Sequence, residues 1–358
     1  MTLAARAGGW RERRLAAVPV VAVLSAIGVG LLLVAAIGVP IREAVSAFAD
    51  GAWGSPYALA ASLNRSVVFA MVGLGFVLAN RANLTNVGGE GQIAVGGIAA
   101  TAVCLFGHVA GLPFGLAFVL PMLAACLAGG VWGGVVGWLR ARVGTNEVIS
   151  SLMLSFIGVW LLYGCVQSEA LLRRPMTTSS TLPESLEIPV STQLPLLTGD
   201  PSIPLHIGLP ILLVLAAVTA LVLQRSAVGV RLRAVGLNAL AARRAGIAIA
   251  PAIVGVFFAA GAFGGLAGAM MLQGEQYSLK AGFSSGYGFD GLVVGLLARG
   301  SVVGVLAGAV LFGFMRSGGI NMEMVASVPS ALVLVIQGLI IVILAGASRW
   351  MIATDAAG

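Results

Sequence analysis

Three carboxylates, Glu90, Glu147 and Asp290, stand at the edges of long apolar runs, each beside glycine or amide residues: Asn86 and Gly88 before Glu90, Gly144 and Asn146 before Glu147, Gly286 and Gly288 before Asp290. In a low-dielectric setting such groups need a partner or a water-lined cavity, and unwound glycine segments that carry them can line a translocation route. Tyr287 and Phe289 neighbour Asp290, and Asn64 with Arg65 forms a fourth polar interruption. The same carboxylates also have a purely structural use. Glycine permits unwound backbone, and the positive end of a helix favours a nearby anion, so each acid is suited to capping a helix start. The two uses are compatible, because irregular backbone at membrane depth is tolerated only where it is buried or lines a cavity.

Other chemistries find no support. A phosphate-binding loop needs lysine followed by Ser or Thr, and the single lysine, Lys280, precedes Ala281. His108 and His206 lie in no Ser/His/Asp or HExxH arrangement, and no acidic cluster offers a metal site. Cys104, Cys126 and Cys165 occur singly in apolar stretches, which suits packing rather than metal binding or a redox pair. An enzyme and a resident cofactor are therefore not expected.

The elements that must carry these residues are membrane helices. Hydrophobic residues make up 59% of the chain, its mean hydropathy is +1.04, and only 9% of residues are charged, against roughly 25% in soluble domains. At about 20 apolar residues per crossing, the chain of 358 residues fits one transmembrane domain of about ten helices. Apolar runs fall near 15–39, 57–79, 92–107, 113–138, 147–167, 205–224, 248–272, 287–298, 301–315 and 329–347. The runs at 92–107, 287–298 and 301–315 are too short to cross alone unless glycine-rich ends extend them or they are broken helices. Arg11-Glu12-Arg13-Arg14 before the first run resembles a signal peptide, yet that run exceeds the length of such a segment and reads as an uncleaved helix.

Ten crossings place both termini on one side. With the termini cytoplasmic, fourteen of the twenty basic residues fall inside, as the positive-inside rule requires. The net charge of +7 follows from the same rule and gives no reason to invoke nucleic acid. The Pro-rich segment 168–204 then becomes an extracytoplasmic loop, placed to cap a pore mouth, receive an external partner or simply connect two spans. Residues 225–247 form a cytoplasmic loop with five arginines. Many glycines recur four residues apart, as in Gly129 and Gly133 or Gly264 and Gly268, a spacing that suits helices packed backbone to backbone in lipid. A faint echo links Gly88-Gly89-Glu90-Gly91 with Gly288-Phe289-Asp290-Gly291; internal repeats are common in transporters, which suggests equivalent places beside one pathway.

Four segments together carry a family resemblance: NLTNVGGEGQIAVGG at 83–97, GTNEVISSLMLSFIGVWL at 144–161, VGVRLRAVGLNALAARRAGI at 228–247 and GYGFDGLVVGLLARGSVVGVLAGAVLFGFMRSGG at 286–319. They resemble the permease subunits of bacterial ABC importers serving simple sugars, nucleosides and branched-chain amino acids. Asn86, Gly88, Glu90, Gly91 and Gln92, with Asn146-Glu147-Val148-Ile149, look most like the nucleoside branch.

The resemblance implies a multi-pass subunit of the bacterial inner membrane, surrounded by lipid, that moves a nucleoside by alternating access. ATP is used by separate ATP-binding subunits. Solute arrives from an extracytoplasmic substrate-binding protein, and a second permease, identical or a sister chain, completes the pore. Arg231 to Gly246 would be a coupling helix docked on the ATPase, through Arg231, Arg233, Ala234, Gly236, Asn238, Ala242 and Gly246. Arg243-Arg244 departs from the less charged or aromatic residues the family pattern leads one to expect there. Asn64, Asn86, Glu90, Asn146, Glu147, Tyr287, Phe289 and Asp290 are the expected pathway residues. A ribose-like sugar importer is the nearest alternative; a secondary transporter relaying protons on Glu90, Glu147 or Asp290 is a more distant one.

Overall fold

The computed structural model describes residue 25, residues 28–113, 115–175 and 182–329, and scattered positions from 331 to 342. Among these the chain is helical, with isolated β-bridges and no strand. The helices are α1 (Ile41–Ala52), α2 (Pro56–Arg81), α3 (Gly89–Phe106), α4 (Leu116–Val143), α5 (Glu147–Gln167), α6 (Gly208–Arg225), α7 (Ala227–Leu237), α8 (Ala239–Arg244), α9 (Ile249–Met271), α10 (Tyr287–Leu297) and α11 (Val302–Ala326). Seven are long and apolar enough to cross a bilayer: α2 to α6, α9 with its extension to Gln276, and α11.

Local chemistry explains several boundaries. Pro56 opens α2 at a position where its missing N–H costs nothing. Asn146 caps α5, its side chain accepting from the N–H groups of Val148 and Ile149 at 2.9 and 3.3 Å. The expected run at 92–107 gains Gly89 to Gly91, and that at 301–315 continues to Ala326 through Gly318, Gly319 and Asn321, residues that depress local hydropathy without ending a helix. The run at 287–298 stays short. At 11 residues, α10 spans about 16 Å, half a bilayer core. Of the run at 15–39, residues 28–36 are helical and residues 15–24, 26 and 27 lie outside the described residues; the run at 329–347 is described only at scattered positions, and both chain ends lie outside the described residues. Helix α1 has no counterpart among the apolar runs.

Two compact units are present, one built from the chain up to Ser62 and from Phe314 onward, the other from Leu63–Gly313. In the first, α1 lies on the end of α11: Asn321 Nδ2 donates to the Ala47 carbonyl at 2.7 Å, and the Phe48 ring covers Gly318.

In the second unit, glycine sets the spacing. Antiparallel α4 and α9 meet along Gly129, Gly133 and Gly137 on one side and Phe257, Gly261 and Gly265 on the other; a Cβ on Gly129 would lie 2.7 Å from the Gly265 Cα and would overlap the Gly261 carbonyl. Gly264 and Gly268, on another face of α9, receive Gln92 and Ile93 of α3. Contact at this distance is what small residues permit where hydrophobic burial does not drive helix association. On its far side α3 presents Gly91 to Ser155 and Gly158 of α5.

Segment 168–207 is pinned to the bundle at several points. Ser185, Ile188 and Leu194 donate backbone N–H groups to the carbonyls of Leu279, Tyr277 and Gln273 at 2.8 to 2.9 Å. Ile188, Thr192 and Leu194 are buried.

Candidate functional site

Helix α2 is the post on which the site is built. The side chain of Val72, near the middle of this 26-residue helix, meets Gly89 at the start of α3 and Gly291 in the first turns of α10. Residues 82–88 therefore climb back from the end of α2 to mid-depth before α3 begins. Helix α10 also starts there and runs parallel to the second half of α2, with Tyr287 on Phe69, Gly291 on Val72 and Gly295 on Phe76. Two helix N-termini consequently meet halfway along α2. They touch at Gly288, where any Cβ would overlap the backbone of Glu90.

Glu90 occupies that junction. Although it lies in the first turn of α3, its carboxylate caps the other helix: Gly286 N–H donates to Oε1 and Gly288 N–H to Oε2, both at 2.8 Å. The partners are 196 and 198 residues away in sequence. A buried anion between the positive ends of two helices, with a backbone donor on each oxygen, is stabilised without a cation. The echo between residues 88–91 and 288–291 thus joins segments that are in contact.

A second charged group lies alongside. Arg65 of α2 pairs with Glu275 at 2.9 Å and meets the Tyr287 side chain, and the Tyr287 ring stacks on Phe69 at 4.9 Å and 13°. Glu275 comes from a π-helical turn, Leu272–Gln276, that ends α9; such turns often mark functional sites. The turn is held by Gln273, whose amide donates to the carbonyls of Phe118 and Thr192 at 3.0 and 2.7 Å, so the Pro-rich segment braces the stretch of chain carrying Glu275. Of the residues after it, Tyr277, Gly282, Ser285 and Gly286 have positive φ. Phe289 and Asp290 are half-buried at the same helix start.

Of the other expected pathway residues, Asn86 adjoins this cluster in the turn before α3, while Asn64, Asn146 and Glu147 have other partners. Asn86 and Gln92 exchange two amide hydrogen bonds of 3.2 Å, and Asn86 also accepts from Gly88 N–H, which closes the turn before α3. Asn64 donates to the Pro204 carbonyl at 2.6 Å and ties α2 to the residues before α6. Asn146 is a helix cap, and Glu147 pairs with Arg140 at 3.3 Å, both at the start of α5 and away from Gly286 in packing.

Sequence reasoning misses Glu275, Phe69, Ser151 and Ser155. Ser151 Oγ accepts from Val87 N–H at 3.0 Å, while Ser155 Oγ donates to the Val87 carbonyl at 3.2 Å. Two serines four residues apart in an apolar run are the available signal; nothing local marks a π turn.

The expected single coupling helix from Arg231 to Gly246 is two helices. Asn238 ends α7 and its side chain caps α8 through Ala241 N–H at 3.0 Å. Gly236 allows α7 to sit on the backbone of Arg81 to Asn83. Ala242 is buried, Ala234 half-buried, and Gly246 takes φ +84° beyond α8. Arg231 and Arg233 are exposed, as are Val228, Val230, Leu237 and Leu240. A cavity of about 820 Å³ between α6, α7 and α9, mostly apolar with Arg231 on its wall, lies on another side of α2 from the Glu90 junction.

Comparisons with known proteins give the family. The chain is similar to the glucose ABC transporter permease of Haloferax volcanii, 35% identical over 91% of this chain and 86% of that protein. It is also similar to the guanosine ABC transporter permease NupP of Bacillus subtilis, 32% identical over 92% of each. A nucleoside ABC transporter permease of Lactococcus lactis is 29% identical over 88% of this chain and 89% of the other. No solved structure matches significantly. The family described as the branched-chain amino acid transport system / permease component matches residues 58–345, and with seven apolar helices among the described residues the chain belongs to this family of ABC importer permeases, multi-pass proteins of the cell membrane serving nucleosides and sugars.

Proposed function

We propose that this permease carries a nucleoside, and that its path passes the junction of α3 and α10. The observation that carries this reading is the segment Asn86-Val87-Gly88-Gly89-Glu90-Gly91-Gln92, the mark of the nucleoside branch, at the core of a site combining fixed charges with aromatic rings. A base and ribose call for hydrogen-bonding groups and a flat apolar wall together; Arg65, Glu275, Phe289 and Asp290 answer to that description. Two relatives are guanosine or nucleoside permeases. The glucose permease among the relatives supports the second reading, a sugar, which would use the same polar groups and leave the rings idle.

In this reading the chain has about ten crossings with both termini cytoplasmic, segment 168–204 faces a substrate-binding protein outside, and a second permease copy or sister chain closes the pore. Residues 225–247 receive the ATPase. Their exposed Val230, Leu237 and Leu240 beside exposed arginines form the mixed apolar and basic surface that a protein partner covers.

The test is initial uptake of radiolabelled guanosine, uridine, ribose and glucose by cells with and without the chain. Loss of guanosine or uridine uptake alone is expected on deletion. Loss confined to ribose or glucose would replace the nucleoside by a sugar.

A further inference from the structure

A shallow, open pocket of about 400 Å³, with polar and apolar walls in similar measure, lies where α2 ends, between the first residues after α2, α7 and the turn between α10 and α11. Three arginines from three separate elements line it, Arg81, Arg233 and Arg299, together with Asn80 and Asn83. Among the described residues no carboxylate lines it. Arg81 donates a long 3.4 Å bond to the Leu223 carbonyl, and its Nε is buried without a hydrogen-bond partner among the described residues.

Arg233 and Arg299 are exposed and their charges screened, whereas the buried Arg81 guanidinium N–H without an acceptor carries a desolvation penalty that an anion would relieve. The backbone is strained in the same place. Asn83 and Arg299 both have left-handed backbone, φ +56° and +48°, as does Gly300 at +81°; each non-glycine residue pays for this conformation, which persists where the surroundings enforce it. Arg81 is the last residue of a spanning helix, so the cavity opens at the level of lipid headgroups.

We propose that this cavity binds a phosphate group, supplied at the membrane surface by an anionic phospholipid. The guanidinium fork of arginine matches phosphate oxygens in pairs, and the asparagine amides add neutral donors. Because Arg233 lies on α7 while Arg81 and Arg299 lie on the spanning bundle, a bound phosphate bridges the coupling segment to the ends of α2 and α10.

The experiment uses the full chain in detergent without an ATPase, so it is independent of the proposed solute and of the coupling assignment. Its thermal unfolding is followed while short-chain phosphatidylglycerol, short-chain phosphatidylcholine or inorganic phosphate is titrated. Phosphatidylglycerol should raise the midpoint more than phosphatidylcholine does. The Arg81→Gln/Arg299→Gln protein should need roughly thirtyfold more of it for the same rise, the equivalent of about 1 kcal/mol per arginine at a lipid surface. Arg299→Gln alone, at an exposed turn, should need several-fold more and guards against misfolding of the double variant. An equal rise with inorganic phosphate, lost in the variants, would keep the phosphate site and make a free ion its source. No rise with either ligand, or an undiminished rise in both variants, would overturn the proposal and leave the arginines as contacts for a protein partner.

Discussion

Glu90 shows how one side chain serves two helices. Its two oxygens hold the N–H groups of Gly286 and Gly288, and removing it exposes those donors and the facing helix ends to each other. Glu90→Ala should destabilise the protein by roughly 3 kcal/mol, and Glu90→Gln, which keeps one good acceptor, by about half as much; midpoints of unfolding in detergent check the order. A Glu90→Ala protein as stable as the parent would remove Glu90 from its junction role. His206, in the segment before α6, gives a pH dependence. Its burial lowers the imidazole pKa from 6.5 to about 4, and its Nδ1 accepts from Gly208 N–H at 3.0 Å, which only the neutral ring can do. The unfolded chain therefore binds the proton that the folded chain refuses. Stability should be constant above pH 6.5 and fall as pH drops toward 4, by up to roughly 3 kcal/mol, and His206→Gln should flatten that slope in a pH series of unfolding midpoints. The acids and amides are visible in the sequence, but their partners are not. Glu90 reads there as a cap for its own helix, because spacing within a segment reports only local neighbours, whereas its real partners are 196 and 198 residues distant.

At the scale of elements, hydropathy identifies α2, α4 to α6 and α9 because each is a long apolar run, and it underestimates α3 because Gly89-Glu90-Gly91 interrupts its start and α11 because Gly318, Gly319 and Asn321 look like a stop. It cannot reveal that α3 and α10 begin at mid-depth, since that depends on which residue of α2 each one meets. The glycine seam between α4 and α9 is legible as a spacing but not as a pairing: Gly129 and Gly133 face Gly261 and Gly265, while Gly264 and Gly268 turn to α3. Gly261→Val would force α4 and α9 apart and should cost about 3 kcal/mol or more, the upper end of overpacking penalties, whereas Gly255→Ala, with open space around its Cα, should be nearly neutral; paired stability measurements on the two variants check the contrast. The coupling segment makes a prediction of its own kind. Replacing Ala234 to Asn238 with a Gly/Ser linker removes the end of α7 and the cap of α8, so ATP-driven uptake should be abolished while membrane insertion persists. Normal uptake at normal expression would sink the coupling assignment.

At the scale of the whole molecule, a chain with 9% charged residues gathers ionic groups at two places of note. One is the junction of half-helices at mid-depth, where Glu90, Arg65 and Glu275 are held by backbone dipoles and by each other. The other is the arginine-rich end shared by α2, α7 and α10. In the proposed account the first meets solute, and the second holds a phosphate group beside the coupling segment. The most direct test of this account is thiol labelling at the junction: Phe289→Cys in a protein whose Cys104, Cys126 and Cys165 are replaced by alanine, exposed to a water-soluble methanethiosulfonate with and without guanosine. The account predicts labelling of the introduced thiol that guanosine slows several-fold while glucose does not. Absence of labelling in a transport-competent protein, or labelling indifferent to guanosine, would contradict a nucleoside path at the α3–α10 junction.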